Sequence, residues 1–252
     1  MCLSGGGGSL PVFNSMNLSN STVSEKGDPM LQINKIGNVI CAHGVNHRRD
    51  RAVGVYAFLM DGILIDSGPQ ILLDDFIPFF QSQDFDKVVF THHHEDHTGG
   101  GKWLQDHIKT PLYIHEAGIE ILSKEGVYPP YRQFAWGMRE AFHAEPLETE
   151  FSSRNGKWKV IHTPGHADDH VALYNETERV MFTGDLYVTP KPKVVLEFDN
   201  IPVIKESIKK LLAYDFTGIF CSHAGYVENG REMLEMKLEY LETKIREIIE
   251  LD

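Results

Sequence analysis

The residues best suited to chemistry are concentrated in one stretch, residues 91–100, which reads Thr-His-His-His-Glu-Asp-His-Thr-Gly-Gly. The apolar run before it, residues 87–91, predicts a buried strand, and the Thr-Gly-Gly after it predicts a turn. Imidazoles and carboxylates at the end of a core strand are costly to bury unless something organises them, and a bound metal is the usual reason. A histidine-rich surface loop that binds metal adventitiously is the alternative.

The spacing within this stretch divides its ligands into two sets. His92 and His94 are two residues apart, so in an extended chain their side chains fall on the same face. We expect Asp96 to continue that face and His97 to leave it as the chain turns. This geometry could supply one metal with two imidazoles and an adjacent metal with a carboxylate and an imidazole.

Three later motifs accompany this stretch: Thr-Pro-Gly-His at residues 163–166, Thr-Gly-Asp at 183–185 and Ser-His at 222–223. The string His-x-His-x-Asp-His at residues 92–97 resembles the signature of the metallo-β-lactamase superfamily, and the later motifs match that family in the expected order. The resemblance covers roughly residues 31–226. It implies an α/β fold of the four-layer αβ/βα type, in which two sheets pack face to face and helices cover both outer sides.

The resemblance also implies a set of metal ligands shared between two ions. The first ion would be held by His92, His94 and His166, the second by Asp96, His97 and His223, and both would be bridged by Asp185. Imidazole nitrogen and carboxylate oxygen without thiolate suit zinc, and also iron or manganese. We therefore expect two divalent ions as cofactors, with zinc the first choice. Asp66, which closes an apolar strand, resembles the family's aspartate that holds a ligand histidine in one tautomer; a helix N-cap or turn aspartate is the alternative.

Two such ions suit hydrolysis. Paired metals in hydrolases lie roughly 3.5–4 Å apart, and water on a zinc ion loses its proton near a pKa of about 7. The resulting hydroxide attacks an electrophilic carbonyl carbon or phosphorus, while one metal stabilises the developing oxyanion. By analogy with relatives, Asp96 would be the catalytic residue that orients the nucleophile or passes a proton to the leaving group.

Four residues are candidates for substrate contact. His170 belongs to a Thr-Pro-Gly-His-x-Asp-Asp-His string that resembles a subgroup including the mitochondrial lactamase-like endoribonuclease, and it could bind substrate or support Asp168. Tyr187 follows the bridging aspartate, as a tyrosine does at a different offset in homoserine-lactone hydrolases. Tyr131 and Trp136 belong to an aromatic segment, residues 127–151, which could roof the pocket, pack into the core or contact a second copy of the chain. We expect His93 and Glu95 to point away from the ligands.

The elements that must position these residues alternate between strands and helices. Strands are predicted at residues 31–36, 39–42, 52–60, 63–65, 87–91, 111–114, 157–163, 171–174, 180–183 and 217–221. Helices are predicted at residues 71–81, 101–104, 115–122, 202–214 and 228–251. Residues 1–29, rich in Gly, Ser and Asn, are expected to be a disordered extension or a cloning remnant, and residues 30–252 one domain. The apolar stripe of the last helix predicts packing on that domain or a homodimer contact.

Composition narrows the classes of partner. The chain has 252 residues and a net charge of −12, which argues against nucleic acid as a general partner and leaves a small-molecule substrate. Its three cysteines are isolated in the sequence, which favours a reducing compartment and hence a cytoplasmic location. No apolar run is long enough to span a membrane.

Several functions fit these features. The leading hypothesis is a binuclear metal hydrolase acting on a small ester-like bond, such as a thioester, a lactone or a related acyl bond. A phosphodiesterase or endoribonuclease of the same superfamily is one alternative, and a persulfide dioxygenase with a single iron is another. The resemblance disfavours a true β-lactamase, because drug-hydrolysing members generally lack the bridging aspartate. A metal-stabilised binding protein is the non-enzymatic alternative, but a structural zinc requires only four ligands.

Overall fold

The computed structural model describes residues 31–48 and 51–250, which form two β-sheets with helices on their outer faces. The first sheet has seven strands, arranged in chain order. They are β1 Leu31–Ile36, β2 Val39–Arg48, β3 Arg51–Met60, β4 Ile63–Ile65, β5 Lys87–Val89, β6 Leu112–Ile114 and β7 Glu145–Pro146. Strands β1 to β4 pair antiparallel, and β4 to β7 pair parallel.

The second sheet has six strands, in the order β13-β12-β11-β10-β9-β8. They are β8 Glu150–Ser152, β9 Lys157–His162, β10 Val171–Asn175, β11 Val180–Phe182, β12 Gly218–Cys221 and β13 Gly225–Val227. Only the β11–β12 pair is parallel among the described strands of this sheet. Strands β9, β11 and β12 therefore run in the same direction and end at the same edge.

Helices and helical turns connect and cover these strands. The helices are α1 Leu73–Ser82, α2 Glu95–Thr98, α3 Gly101–Trp103, α4 Glu116–Leu122, α5 Pro130–Trp136, α6 Ile201–Leu212 and α7 Gly230–Ile249. Helix α6 begins where the Asn200 side chain accepts a hydrogen bond from Val203 N, and Pro202 stands in its first turn, where its missing N–H costs nothing. Within the described ranges, every helix is too short or too polar to cross a membrane.

Three apolar layers separate four layers of structure. Phe76, Phe79 and Phe80 of α1 pack on the outer face of the first sheet. Phe58 and Phe220 meet between the two sheets, with ring centroids 5.5 Å apart. Helices α6 and α7 pack on the outer face of the second sheet in a third cluster that includes Ile208 and Leu234. The predicted four-layer αβ/βα sandwich is confirmed.

Most of the predicted elements are present within a few residues of their predicted bounds. The tight turn between β3 and β4 is present, with positive φ at both Asp61 and Gly62 (51° and 78°), which a two-residue hairpin of this kind requires. Strands β7, β8 and β13 were missed, because two or three residues are too few to show an alternating pattern. The aromatic segment, residues 127–151, contains β7 and the start of β8, which are edge strands of the two sheets.

The last helix and the chain start bear on the predicted domain organisation. In α7, Leu234 and Leu241 are buried against the second sheet, whereas Ile248 is 62% exposed. Most of the apolar stripe thus packs on the chain itself, and the homodimer stays a prediction. Residues 1–29 lie outside the described residues, as do 251–252, so the extension and the single-domain assignment also stay predictions.

Candidate metal centre

Every predicted ligand follows the carboxyl end of a strand, and these ends meet where the two sheets face each other. Residues 92–97 follow β5 of the first sheet, and the other ligands follow β9, β11 and β12 of the second. Backbone hydrogen bonds join the sheets here, from Val171 N to Thr91 O (2.8 Å) and from Tyr56 N to Ser222 O (2.7 Å). The sandwich itself therefore brings the two halves of the site together.

The expected geometry of residues 92–97 needs one correction. Helix α2 begins at Glu95, directly after the extended residue His94, so Asp96 does not continue the extended face. Asp96 and His97 instead lie together in the first turn of α2. The helical turn places both side chains with a second set of ligands.

The first ligand group consists of His92, His94 and His166. His94 Nδ1 lies 3.0 Å from His92 Nε2 and 3.1 Å from His166 Nε2. Burial, together with neighbouring histidines, holds the pKa values of His92 and His94 well below their usual range. Neutral imidazoles with converging nitrogens are the state that binds a metal ion.

The second ligand group consists of Asp96, His97, Asp185 and His223. His223 Nε2 lies 3.3 Å from Asp96 Oδ2 and 3.2 Å from Asp185 Oδ2. Two buried atoms here, His97 Nε2 and Asp185 Oδ1, have no hydrogen-bond partner among the described residues. Burial opposes charge on His97, but Asp185, Asp96 and Asp66 raise its pKa well above the usual range. The carboxylates of this group therefore stabilise positive charge at its centre.

Asp185 lies between the two groups. Its Oδ2 is 3.4 Å from His166 Nε2 of the first group, and its Oδ1 is 3.4 Å from His97 Nε2 of the second. Burial would raise its pKa, but His223 and His97 hold that pKa well below the usual range. The residues therefore fit metal ions: imidazole and carboxylate donors converge, and unpaired buried atoms face the centre.

The outward-facing nitrogens of His97 and His223 each have an acceptor. His97 Nδ1 lies 2.8 Å from Asp66 Oδ2, as expected for an aspartate that holds one tautomer. Asp66 has a φ of 60° and accepts further hydrogen bonds from Thr91 N and Thr91 Oγ1, which hold it in this uncommon conformation. His223 Nδ1 lies 2.8 Å from the Gly54 carbonyl oxygen. These contacts leave Nε2 of both histidines facing the ligand group.

Sequence reasoning missed Asp199, which lies 2.9 Å from His166 Nδ1 through its Oδ1. It precedes α6 and is separated from His166 by 33 residues, and no motif includes it. The only available signal was a carboxylate close to a helix start, which is more often a cap. Asp199 does for His166 what Asp66 does for His97.

Two of the four predicted substrate contacts lie elsewhere. His170 is fully buried; its Nε2 accepts a hydrogen bond from Asp185 N (3.1 Å), and its Nδ1 lies 2.8 Å from Thr163 Oγ1. It supports the backbone of Asp185, and within the described part of the chain its side chain forms no hydrogen bond with Asp168. Tyr187 is 5% exposed and packs in the core under α6 and α7, because the chain turns sharply at Val188.

The other two candidates, Tyr131 and Trp136, line a cavity of about 590 Å³ that opens from the ligand groups. Both belong to α5, and the Trp136 ring centroid lies 6.0 Å from that of His223. The aromatic segment has two roles, since Phe142 packs in the core at 5.4 Å from Phe90. Within this segment, α5 is the part that lines the cavity.

His93 and Glu95 face away from the ligand groups, as the spacing predicts. His93 Nδ1 lies 2.7 Å from Asp169 Oδ1. The buried carboxylate of Glu95 accepts two hydrogen bonds from Arg132 of α5, including one from Nε at 2.7 Å. Glu95 thereby ties α5 to the ligand stretch.

Comparison with known proteins points to one family. The family model described as "Metallo-beta-lactamase superfamily" matches residues 51–240. A probable metallo-hydrolase of Bacillus subtilis is 33% identical over 105 residues, which cover 41% of this chain and 46% of that protein. A beta-lactamase-like protein 2 homolog of Caenorhabditis elegans is 28% identical over 168 residues, which cover 65% of this chain and 50% of that protein. The chain thus spans about half the length of the curated relatives it matches.

Solved structures share the fold. A metallo-beta-lactamase from Pontibacter korlensis superposes with a TM-score of 0.65 at 18% identity, over 84% of this chain and 99% of that chain. An identity this low concerns the fold alone.

Proposed function

The chain belongs to the metallo-beta-lactamase superfamily, and from this premise we propose that it is a metal-dependent hydrolase whose two-ion centre cleaves a small ester-like acyl bond, such as a thioester or lactone. One observation carries the proposal: the two ligand groups are adjacent, and Asp185 reaches both. A shared carboxylate allows two cations to lie close together while it offsets part of their repulsion.

The chain's own residues prepare the centre for hydrolysis. Two divalent ions bound there would supply a deprotonated water at neutral pH and polarise the substrate carbonyl. Asp66, Asp199 and the Gly54 carbonyl accept the outward N–H groups of three ligand histidines, so the opposite nitrogens remain free to ligate. The backbone N–H of Asp185 donates a hydrogen bond to His170 Nε2, which fixes the backbone of Asp185.

Asp96 is the residue placed to move a proton. Its carboxylate lines the cavity and lies 3.3 Å from His223 Nε2. In hydrolysis the water oxygen bonds to the acyl carbon, the bond to the leaving oxygen or sulfur breaks, and one water proton passes to the leaving group. Asp96 can accept that proton and hand it on.

The two alternatives have less support. The nuclease interpretation relied on His170, which is buried behind Asp185 and does not reach the cavity. A dioxygenase with a single iron would leave one of the two ligand groups without a use. The preferred ions are zinc first, then manganese or iron, because the donors are nitrogen and oxygen.

The test is metal content by mass spectrometry on protein purified without chelators, combined with a panel of thioesters, lactones and phosphodiesters. We expect two zinc or manganese ions per chain, loss of about one or more in Asp185→Ala, and hydrolysis of an acyl substrate that stops on chelation. Asp215→Ala, an exposed carboxylate paired with Arg179, is the matched control. A single iron that survives Asp185→Ala would overturn the proposal in favour of persulfide oxidation.

A further inference from the structure

One segment of the chain supplies nearly half of the residues that line the cavity at the metal centre. Residues 186–200, named here the pocket loop, connect Asp185 to α6 and supply much of the lining. His94, Asp185 and His223 lie in the same cavity, so whatever occupies it reaches the ligand groups. A volume of about 590 Å³ lies well within the range of small-molecule sites, roughly 300–1,000 Å³.

One end of this cavity is buried and apolar. Leu186 of the pocket loop, Ile204 of α6 and Leu241 of α7 line it, and they are 1%, 6% and 3% exposed. Lys237 also lines this end, but its ammonium donates two hydrogen bonds, to the carbonyl oxygens of Leu186 (2.8 Å) and Tyr187 (2.7 Å). An aliphatic chain suits this end, whereas an anion would lose its hydration there.

The other end of the cavity is exposed and combines apolar side chains with cations. Val194 and Val195 of the pocket loop are 71% and 55% exposed. Lys191 and Lys193, on the same loop, are exposed and form no ion pair with any side chain in the described part of the chain. The protein has a net charge of −12, so two unpaired cations at the mouth of its cavity stand out from its surface.

We propose that the substrate is an amphiphilic ester or thioester whose aliphatic acyl chain lies against Leu186, Ile204 and Leu241, and whose leaving group carries an anion that Lys191 and Lys193 bind. This inference rests on the proposed hydrolase function and specifies its substrate class. The reacting carbonyl then lies at the metal ligands, which line the same cavity. Glu197, the acidic neighbour in the pocket loop, does not line the cavity.

The depth of the cavity argues against a protein or lipid surface as its occupant. The exposed valines would suit a second copy of the chain or a membrane, but the apolar lining continues inward to Leu241, which is 3% exposed. A flat partner cannot cover residues at that depth, whereas a flexible chain can. Sedimentation velocity and vesicle binding test these other occupants directly.

The first experiment varies the substrate on the unmodified protein. Acetyl, butyryl, hexanoyl and octanoyl esters of 4-hydroxybenzoate carry an anionic leaving group, and the same esters of methyl 4-hydroxybenzoate are their neutral partners. We expect kcat/KM to rise about fourfold per methylene until the buried end is full. At equal chain length, the anionic ester should be preferred about tenfold.

Variants then test each end of the cavity. Lys191→Glu with Lys193→Glu should remove or reverse the preference for the anionic ester, whereas Lys35→Glu with Lys157→Glu, two exposed lysines outside the cavity, should leave it unchanged. Ile201, the first residue of α6, also lines the cavity. Ile201→Asp should weaken the dependence of kcat/KM on acyl-chain length, and an aspartate is favourable at the first position of a helix. Ile33→Asp, on exposed β1, is its control.

Binding of octanesulfonate, measured by calorimetry, tests the inference without any turnover. If octanesulfonate binds about tenfold more weakly to the double lysine variant, and ethanesulfonate binds poorly to the unmodified protein, the inference is supported even if no ester is cleaved. If small neutral esters are cleaved but chain length and charge have no effect, the substrate class is wrong while the hydrolase function stands. The inference would also be overturned if chain length had no effect on kcat/KM and the protein instead formed a dimer or bound vesicles, in a complex that the double variant Val194→Asp with Val195→Asp disrupts.

Discussion

At the scale of single residues, the centre depends on acceptors behind the ligands as much as on the ligands. His97, His223 and His166 each place one nitrogen against an oxygen of Asp66, Gly54 or Asp199. An imidazole held this way presents its other nitrogen with a lone pair, and its ring cannot turn away. Asp199 Oδ2 also accepts a hydrogen bond from Leu196 N (2.9 Å), so a substitution that tests the His166 contact should keep an oxygen acceptor there.

We expect Asp199→Asn to weaken metal binding at the first ligand group about tenfold, because the neutral amide is a poorer acceptor for His166 Nδ1–H. Competition with a chromophoric chelator measures both affinities. Asp215→Asn, an exposed carboxylate far from the ligands, should change neither. Unchanged affinity in Asp199→Asn would mean that His166 is held by its backbone alone.

Lys237 predicts a distinct pH dependence of stability. Burial lowers its pKa to about 8, although Cys221, Asp199 and Asp185 oppose that shift, whereas an unfolded lysine titrates near 10.4. Between these values the unfolded chain binds more protons, so the contribution of Lys237 to stability rises with pH. The difference in unfolding free energy between the unmodified protein and Lys237→Met should therefore grow by about 3 kcal/mol from pH 8 to 10.5.

Denaturant unfolding at several pH values measures this difference. The exposed Lys209→Met provides the control, and its difference from the unmodified protein should not grow in this way. A flat difference for Lys237→Met would show that the ammonium keeps an ordinary pKa in the fold.

At the scale of elements, two contacts position segments that the ligand motifs do not include. The Glu95–Arg132 pair ties α5 to α2, and the Arg132 guanidinium also lies 5.2 Å from the Phe198 ring centroid, on the pocket loop. The turn at Gly165 lies against the start of α6, and Gly165 has a φ of 124°. Both contacts connect a cavity wall to a ligand-bearing stretch.

The Glu95–Arg132 pair should show strong coupling in a double-mutant cycle. Glu95 is fully buried, so the single variant Arg132→Met leaves a buried carboxylate at Glu95 without its partner. The double variant Glu95→Gln with Arg132→Met removes that carboxylate and so leaves no unpaired buried charge. We expect a coupling energy of about 3 kcal/mol in unfolding free energy and faster hydrogen exchange in α5 for Arg132→Met. The exposed Lys124–Glu120 pair should show little coupling, and equal values for both pairs would refute the role of burial.

Gly165→Ala should disturb the junction between the 163–166 turn and α6. An added Cβ would lie 2.7 Å from Ile204 N and Cγ1, and a φ of 124° disfavours any side chain. We expect a loss of stability of several kcal/mol and weaker metal binding through the adjacent His166. Gly37→Ala also has a positive φ but open space, so it should cost only about 1 kcal/mol. Similar losses at both sites would mean that α6 moves aside freely.

At the scale of the whole molecule, the metal centre joins the two sheets. The first ligand group combines residues from after β5 with His166 from after β9, and the second combines Asp96 and His97 with Asp185 and His223. Without cations, the buried atoms His97 Nε2 and Asp185 Oδ1 lack partners. Metal binding should therefore stabilise the contact between the sheets.

We expect chelation to lower the thermal midpoint of the protein, and added zinc to restore it. Ions present at about a thousandfold over their dissociation constants stabilise the folded state by roughly 4 kcal/mol. Differential scanning calorimetry measures the shift, which should shrink in Asp185→Ala and persist in Asp215→Ala. An unchanged midpoint after verified metal removal would show that the sheets do not depend on the centre.

The sequence by itself predicted the family of fold and most of its strands, and the seven side chains that it proposed as ligands converge in the structure. These features are local: a strand of alternating or apolar residues, a turn signalled by glycine, and a ligand directly after it, as at residues 91–100 and 183–185. Even there Asp96 was expected on the extended face, whereas α2 already begins at Glu95, because a helix this short has no periodic pattern.

Only the tertiary structure decided what lies around the ligands. Asp199 meets His166 across 33 residues, Arg132 meets Glu95 across 37, and His170 turns under Asp185 instead of into the cavity. The cavity wall combines the pocket loop with α5, α6 and α7. Such contacts depend on how packed elements meet in space, which no local pattern in the sequence encodes. The residues that converge were therefore predictable from the sequence, while the residues that surround them were not.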